Sequence, residues 1–364
     1  MLVTRVSNTR YLAGGRATLG RRQARSQDVA RLAGVSRTTV SFVLNEVPGV
    51  KISEETRQRV FQAARDLNYY PAAAARTLAS GKTQRIGLIL GESQTRLGVD
   101  AFLPPFLQGV TASVHRRGYL LVLQLAEDVP SHEAYARLIR EQQVDGVILS
   151  GPRDGDPLLE ELAEDRFPLI LHGRLDRSEF PIVDVDNQAG AYQAVQHLIG
   201  LEHRRIGFIS NAPLSYAGAQ DRFAGYKQAL GEHDLSQDPA LVHTASFLPG
   251  SGRAAMERLL NLADRPTAVF AASDVVAIGA MSAIHDAGLR IPEDVAVVGF
   301  DDIFLAAHVH PRLTTVRVPA YGLGWTAAEI LTALIEGDEE VPSMILETEL
   351  IVRESCGAPP SARN

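Results

Sequence analysis

The stretch "DVARLAGVSRTTVSFVLN", residues 28–45, decides how the amino-terminal part of this chain is read. It sets Val29, Leu32, Val35, Val40 and Leu44 at the spacing of one small shared core, with Ala30 and Ala33 where two helices must approach closely. Gly34 stands between the two helical runs, and a tight helix–helix turn favours glycine. Ser26 can cap a helix over residues 27–33 and Ser36 a second one to Asn45. Ser53 with Glu54, Glu55 and Thr56 opens a third helix to Leu67, and Pro48 and Gly49 mark the loop before it. This arrangement leaves Ser36, Arg37, Thr38, Thr39 and Ser41 pointing outward. In a helix-turn-helix the second helix presents its amino-terminal side chains to base edges in the major groove. Arg37 suits guanine or phosphate, and the hydroxyls suit phosphate oxygens. A helical hairpin packed only for its own stability would carry the same glycine, so on this stretch alone both readings stand.

Charge separates them further. Residues 1–85 hold 15 Lys and Arg against 5 Asp and Glu, a balance of +10, which leaves −17 for residues 86–364 within the net charge of −7. A basic end on an acidic body points to a polyanion held at one end; an ordinary solvated basic surface is the plainer alternative. The length and the 45% hydrophobic content allow a large core and two or three domains. No apolar run approaches the roughly 20 residues that cross a bilayer, and no signal-peptide pattern opens the chain, so a soluble cytoplasmic protein with no membrane partner is expected. The single cysteine, Cys356, excludes a disulfide framework and a cysteine-based metal site.

Residues 1–25 contain six arginines, no acids and no sustained apolar period, which predicts a disordered basic arm; a start codon assigned too early would read the same way. Residues 26–70 form the three-helix unit. Residues 71–84, within "YYPAAAARTLASGKTQ", hold four alanines after Pro71 and a closing Gly81, a helix too short to be stable alone. Such a helix forms when something orders it, with Leu78 as a minor-groove wedge and Arg76 as its phosphate anchor, or else the segment is a flexible linker. From Arg85 onward "RIGLIL", "YLLVLQ", "VDGVILS", "PLILH", "RIGFIS", "TAVFAA" and "VAVVGF" are apolar on both faces, as buried parallel strands are. Segments 105–116, 131–142, 188–200, 222–230, 251–260 and 274–287 have helical spacing between them. The alternation predicts an α/β fold of two doubly wound subdomains with a ligand cleft between them at the carboxyl ends of strands.

"DVARLAGVSRTTVSFVLN", "ISEETRQRVFQAARDLNYYP", "AAAARTLASGKTQRIGLIL", "VDVDNQAGAYQAVQHLI", "RFAGYKQAL", "IPEDVAVVGFDD", "PRLTTVRVP" and "LETELIVRESC" together resemble, in order over about residues 26–357, the LacI/GalR family of bacterial transcriptional repressors. The resemblance implies a helix-turn-helix headpiece, a hinge helix and a core like the periplasmic sugar-binding proteins (type I). It implies an effector-binding and dimerisation core over residues 85–353. One subdomain takes about 85–186 plus 317–345, the other about 187–316 plus 346–353, and 354–364 is a tail. It further implies a homodimer on a pseudo-palindromic double-stranded operator, controlled by a small effector. By the same likeness Arg37 and Thr38 read bases, Ser36 and Thr39 meet the backbone, Leu78 wedges between central base pairs and Ala75 lies beside it in the minor groove. Phe42 stands where the family usually has a guanine-reading arginine, and Ala72 replaces a frequent asparagine. The loop "NEVPGVKISEE" is about two residues longer than the family's. A consensus operator is therefore not transferred.

The likeness places Phe102, His172, Arg222, Phe247, Ser273 and Asp301 in the effector cleft, with Arg174 of "LHGR" beside them. Aromatic faces suit a sugar ring, and Arg222 with Asp301 offers donors and acceptors to its hydroxyls, which favours a saccharide over a nucleobase or an acidic metabolite. Taken singly, the phenylalanines read as core, His172 as a structural histidine at a strand end and Asp301 as a helix cap. No cofactor and no metal site is expected, since His197 and His203 are too loosely spaced for ligands. "GLGWTA", residues 322–327, has the form of a dinucleotide-binding turn but lies at the chain's end, with Pro319 interrupting its entry, so an enzyme is not expected. A binding protein without a DNA role would leave the basic headpiece unexplained.

Overall fold

A computed structural model describes residues 24–45, 49–70, 77, 81–91, 98–125, 131–152, 156–175, 178–338 and 340–359. The basic arm up to residue 23 and, in the hinge, Ala72, Ala75, Arg76 and Leu78 lie outside them. The chain divides into two units, residues 1–83 and 84–364.

In the first unit α1 (Ser26–Ala33), α2 (Arg37–Leu44) and α3 (Glu54–Asp66) enclose Val29, Ala30, Ala33, Val40, Val43, Val60, Ala63 and Ala64. Gly34 closes α1 at φ +67°, the left-handed backbone that a tight turn needs. Ser36 caps α2, its hydroxyl accepting the Thr39 N–H at 3.0 Å, and Ser53 caps α3 by accepting the Thr56 N–H at 3.3 Å. Two expectations change. Ser26 is the first helical residue rather than the cap. The cap position belongs to Arg25, whose N–H is taken by Asp28 at 3.0 Å. Leu32 is 56% exposed rather than in the core, because Val29, Ala30 and Ala33 already define the inward arc of α1 and Leu32 falls on its flank; Val43 supplies the missing apolar volume.

The second unit holds two six-stranded sheets. In the first, β1 (Arg85–Leu90), β2 (Leu120–Leu125), β3 (Gly146–Ser150), β4 (Leu169–His172), β5 (Ile182–Val185) and β11 (Met344–Leu346) stand in the order β11-β5-β4-β3-β1-β2, all parallel. The second is ordered β12-β10-β9-β8-β6-β7, from β6 (Ile206–Ile209), β7 (Val242–His243), β8 (Ala268–Ala271), β9 (Ala296–Asp301), β10 (Thr314–Arg317) and β12 (Glu349–Ile351), with only the β10–β12 pair antiparallel. Helices α4 (Leu103–Arg116), α5 (Ser131–Arg140), α6 (Pro157–Glu164), α7 (Asn187–Gly200), α8 (Ala217–Glu232), α9 (Pro249–Leu260), α10 (Asp274–Asp286) and α11 (Ala320–Glu336) alternate with these strands. The chain crosses between the sheets three times, after Val185, after Arg317 and after Leu346. "YLLVLQ" is not a buried strand: β2 is an edge, and Leu120 and Leu123 are exposed.

"GLGWTA" lies inside α11 and not on a strand-to-helix turn. A Cβ at Gly324 would collide with the Phe106 carbonyl, and one at Gly109 with the Tyr321 carbonyl. These glycines let the backbones of α4 and α11 touch, which is a packing role and not a phosphate cradle. No helix among the described residues is long and apolar enough to cross a membrane.

Candidate functional site

Strands of both sheets end at one cleft, the position where open parallel sheets hold their ligands. It encloses about 720 Å³ including its open mouth. From the first sheet come Ser150 at the end of β3, His172 at the end of β4 and Asp184 on β5; from the second come Asn211 just after β6, Phe247 after β7 and Asp301 ending β9.

One wall is aromatic. Phe102, at the amino-terminal end of α4, stacks on the His172 ring at 5.8 Å with only 7° between planes, and Phe106 stacks on the same ring at 4.4 Å and on Phe102 at 6.0 Å, so the three rings form one cluster. The Ser150 hydroxyl and His172 Nδ1 are 2.8 Å apart, which fixes the ring's rotation. Opposite, Phe247 and Tyr216 meet edge to face at 5.9 Å. Phe247 at φ +52° and Asp301 at φ +115° hold left-handed backbone, strain of order 1–3 kcal/mol that concentrates at functional sites.

The polar groups are mostly committed to one another. Arg222, reaching in from α8, donates Nε to Asn187 Oδ1 at 2.9 Å and Nη1 to the Ala272 carbonyl at 2.6 Å. Its guanidinium lies 3.8 Å above the Phe300 ring and 3.5 Å from the Asp301 carboxylate. Arg174 donates Nη2 to Asp221 on α8 at 2.7 Å, so an ion pair joins the two sheets' subdomains at the cleft. Asp184 is pushed up to about 6: burial is the largest cause, partly offset by the Val185 N–H, Arg222 and Asn187. Behind Asp301, the wholly buried Asp274 is held well above the usual carboxylate range by burial and by Asp301, although it accepts the Thr315 hydroxyl and the Ile303 N–H. The lining thus offers two engaged cations, several carboxylates and stacking rings. That chemistry suits a neutral, donor-rich ring compound better than an anion. Among the described residues no cluster of His, Cys, Asp and Glu is placed to hold a metal ion.

Of the residues singled out from sequence, Phe102, His172, Arg174, Arg222, Phe247 and Asp301 come together on this lining. Ser273 does not. It is buried at the start of α10, where its hydroxyl caps the helix by accepting the Val276 N–H. Asp100, Asp184, Asn187, Asn211 and Tyr216 belong to the cleft and were not anticipated. The strand-end rule that locates the cleft would have flagged Asp184 in "VDVDN" and Asn211 in "ISNAP".

On the first unit, Ser36, Arg37, Thr38 and Ser41 are exposed along α2, and Thr39 and Phe42 are half-buried. The Ser36 and Thr39 hydroxyls are 2.9 Å apart within the cap, and Ser41 accepts from Asn45 at 3.1 Å. Arg37 and Thr38 occupy the first two helical positions, where side chains project past the helix end.

Comparison with known proteins agrees with this architecture. Residues 27–72 match the family described as bacterial regulatory proteins, lacI family, and residues 195–356 match a periplasmic binding protein-like domain. The HTH-type transcriptional regulator CelR of Thermobifida fusca is 38% identical over 339 residues, 92% of this chain and 99% of that protein. A solved complex of transcriptional regulator CelR with cellobiose is 36% identical with a TM-score of 0.71, covering 91% of this chain and 99% of that one. The lac repressor dimer bound to operator and the anti-inducer ONPF is 29% identical with a TM-score of 0.81, covering 92% and 99%. These relatives are regulators and not enzymes, and their likeness runs through headpiece and core alike. The chain belongs to the LacI family of bacterial transcriptional regulators.

Proposed function

We propose that this regulator is a repressor that binds a pseudo-palindromic DNA operator as a homodimer and changes its affinity when a neutral saccharide enters the cleft. In this reading Arg37 and Thr38 contact base edges, Ser36, Thr39 and Ser41 contact phosphates, and Phe42 makes an apolar contact where relatives read guanine. Ala75, Arg76 and Leu78 order on DNA, with Leu78 wedged between base pairs. In the cleft, Phe102 and Phe247 stack on the sugar faces, and His172, Arg222 and Asp301 meet its hydroxyls; Arg174 acts through its pair with Asp221. Ser273 acts only indirectly, by holding the start of α10.

The observation that carries the saccharide is the pairing of stacked rings with an arginine whose charge is already matched by Asp301, 3.5 Å away. A phosphorylated or carboxylated effector would meet carboxylates and no uncommitted guanidinium on that lining. The cellobiose complex of the relative supports the same class. Coupling arises because a ligand preferring one arrangement of the two sheets shifts the whole equilibrium, by about 1–3 kcal/mol in allosteric systems. Segment 71–84 transmits it to the headpiece.

Selection of bound fragments from the organism's own genome, followed by thermal-shift titration with sugars, tests the proposal. Enrichment of one inverted-repeat sequence and stabilisation by a neutral sugar are expected. No enriched sequence, or a shift with purines or sugar phosphates alone, overturns it.

A further inference from the structure

One polar group in the cleft is treated differently from all its neighbours. Asn211 follows β6 at the floor of the lining and is only 1% exposed, yet among the described residues no donor reaches its Oδ1. The backbone around it is tightly fixed. The Ser210 hydroxyl donates to the Ala212 carbonyl at 2.6 Å and accepts the Ala245 N–H at 3.3 Å. The Asn211 carbonyl accepts the Phe247 N–H at 2.7 Å, which also sets that ring's left-handed backbone. The second carboxamide of the lining, Asn187, shows the usual condition. Its Nδ2 donates to Asp184 and to the Val185 carbonyl, and its Oδ1 accepts from Arg222.

Buried side-chain acceptors are nearly always paired, and exceptions in native folds cluster at functional sites. A framework residue would not be held so rigidly through its main chain while its side chain is left unmatched. We propose that Asn211 is a specificity-determining residue of the effector cleft, whose Oδ1 accepts a hydrogen bond from one hydroxyl of a neutral saccharide. The proposal rests on the saccharide reading of the cleft and adds to it the group that selects among sugars. Phe247 and Tyr216 stand beside it on the lining, so the hydroxyl it takes belongs to the ring stacked there. A sugar that cannot present a donor at that point leaves the acceptor buried and unmatched, which is the strongest form of discrimination a binding site has.

The test uses the full-length protein and Asn211→Ala, with glucose, cellobiose and maltose as probes, read by ligand-free melting temperature and by isothermal titration. The expected result is a ligand-free melting temperature that stays level or rises, because an unmatched buried acceptor is removed, together with an affinity about 10- to 100-fold weaker for whichever sugar the wild type binds. Equal affinity in variant and wild type overturns the assignment and leaves the saccharide reading intact. A ligand-free melting temperature lowered by several degrees places Asn211 in the framework and overturns it as well. A wild type that binds none of the three sugars at millimolar concentration overturns both.

Discussion

Replacing Asp184 by Asn isolates the energy stored in the cleft. The wild-type carboxyl sits at about 6 in the folded chain, against 3.8 as its ordinary value, chiefly because it is buried. Between those two values the folded chain keeps a proton that the unfolded chain has lost, so this group lowers stability as pH rises from about 4 to about 6 and holds it down above that. At 1.36 kcal/mol per unit, the deficit is about 3 kcal/mol at pH 7.5 and about half of that at pH 5. Asparagine keeps the acceptor that Asn187 and the Val185 N–H use, at 3.2 Å and 2.8 Å, but carries no charge. Asp184→Asn should therefore melt about 5–10 °C higher at pH 7.5, with the advantage shrinking toward zero near pH 4. Thermal or urea unfolding of variant and wild type across pH 4–8 reads this directly. A variant no more stable at pH 7.5, or equally stabilised at all pH values, would show that Asp184 carries no charge penalty in the folded chain. The destabilisation has a use: an ionised carboxylate on the cleft lining is a strong acceptor for ligand hydroxyls, so the same substitution should weaken saccharide binding.

Arg222→Ala should preserve DNA binding and abolish the effector response in a mobility-shift titration. It should also cost the core about 1–3 kcal/mol, because the Ala272 carbonyl and Asn187 Oδ1 lose their donor and Asp301 loses its charge partner. Leu78→Ala should weaken specific operator binding while leaving nonspecific binding nearly unchanged; equal loss of both removes the wedge. Gly324→Val should lower the melting temperature by separating α4 from α11, at a cost of about 1–3 kcal/mol or more, and a neutral result would contradict the close approach at Phe106.

Much of the architecture was legible because buried parallel strands announce themselves. "RIGLIL", "VDGVILS" and "VAVVGF" are apolar on both faces and became β1, β3 and β9. "YLLVLQ" carries the same signal, yet it is an edge: composition records that a strand is apolar and says nothing of whether a neighbour covers it. The two- and three-residue strands β7, β11 and β12 are too short to show any period. Leu32 fits a helical repeat, but in an eight-residue helix the repeat does not fix which flank faces inward. In the cleft, Arg222 and Asp301 lie in stretches that carry the family likeness, whereas Phe102 and Phe247 read singly as core and were placed by the likeness alone. Asp100, Asp184, Asn211 and Tyr216 are scattered over more than a hundred positions and acquire meaning only when the strand ends converge. Ser273 shows the reverse. Its type suited a ligand, and the start of α10 claimed its hydroxyl first.

In the proposed function the cleft in the core governs the grip of the headpiece on DNA. Fluorescence anisotropy of the full-length protein, with its selected genomic fragment and with random duplex at one fixed salt concentration, measures it most directly when repeated with and without the stabilising sugar. The expected result is a preference for the selected fragment of at least about a thousandfold, and a shift of about 5- to 150-fold in that preference when sugar is added. Equal affinity for both duplexes, or a preference that no cleft ligand alters, would contradict it.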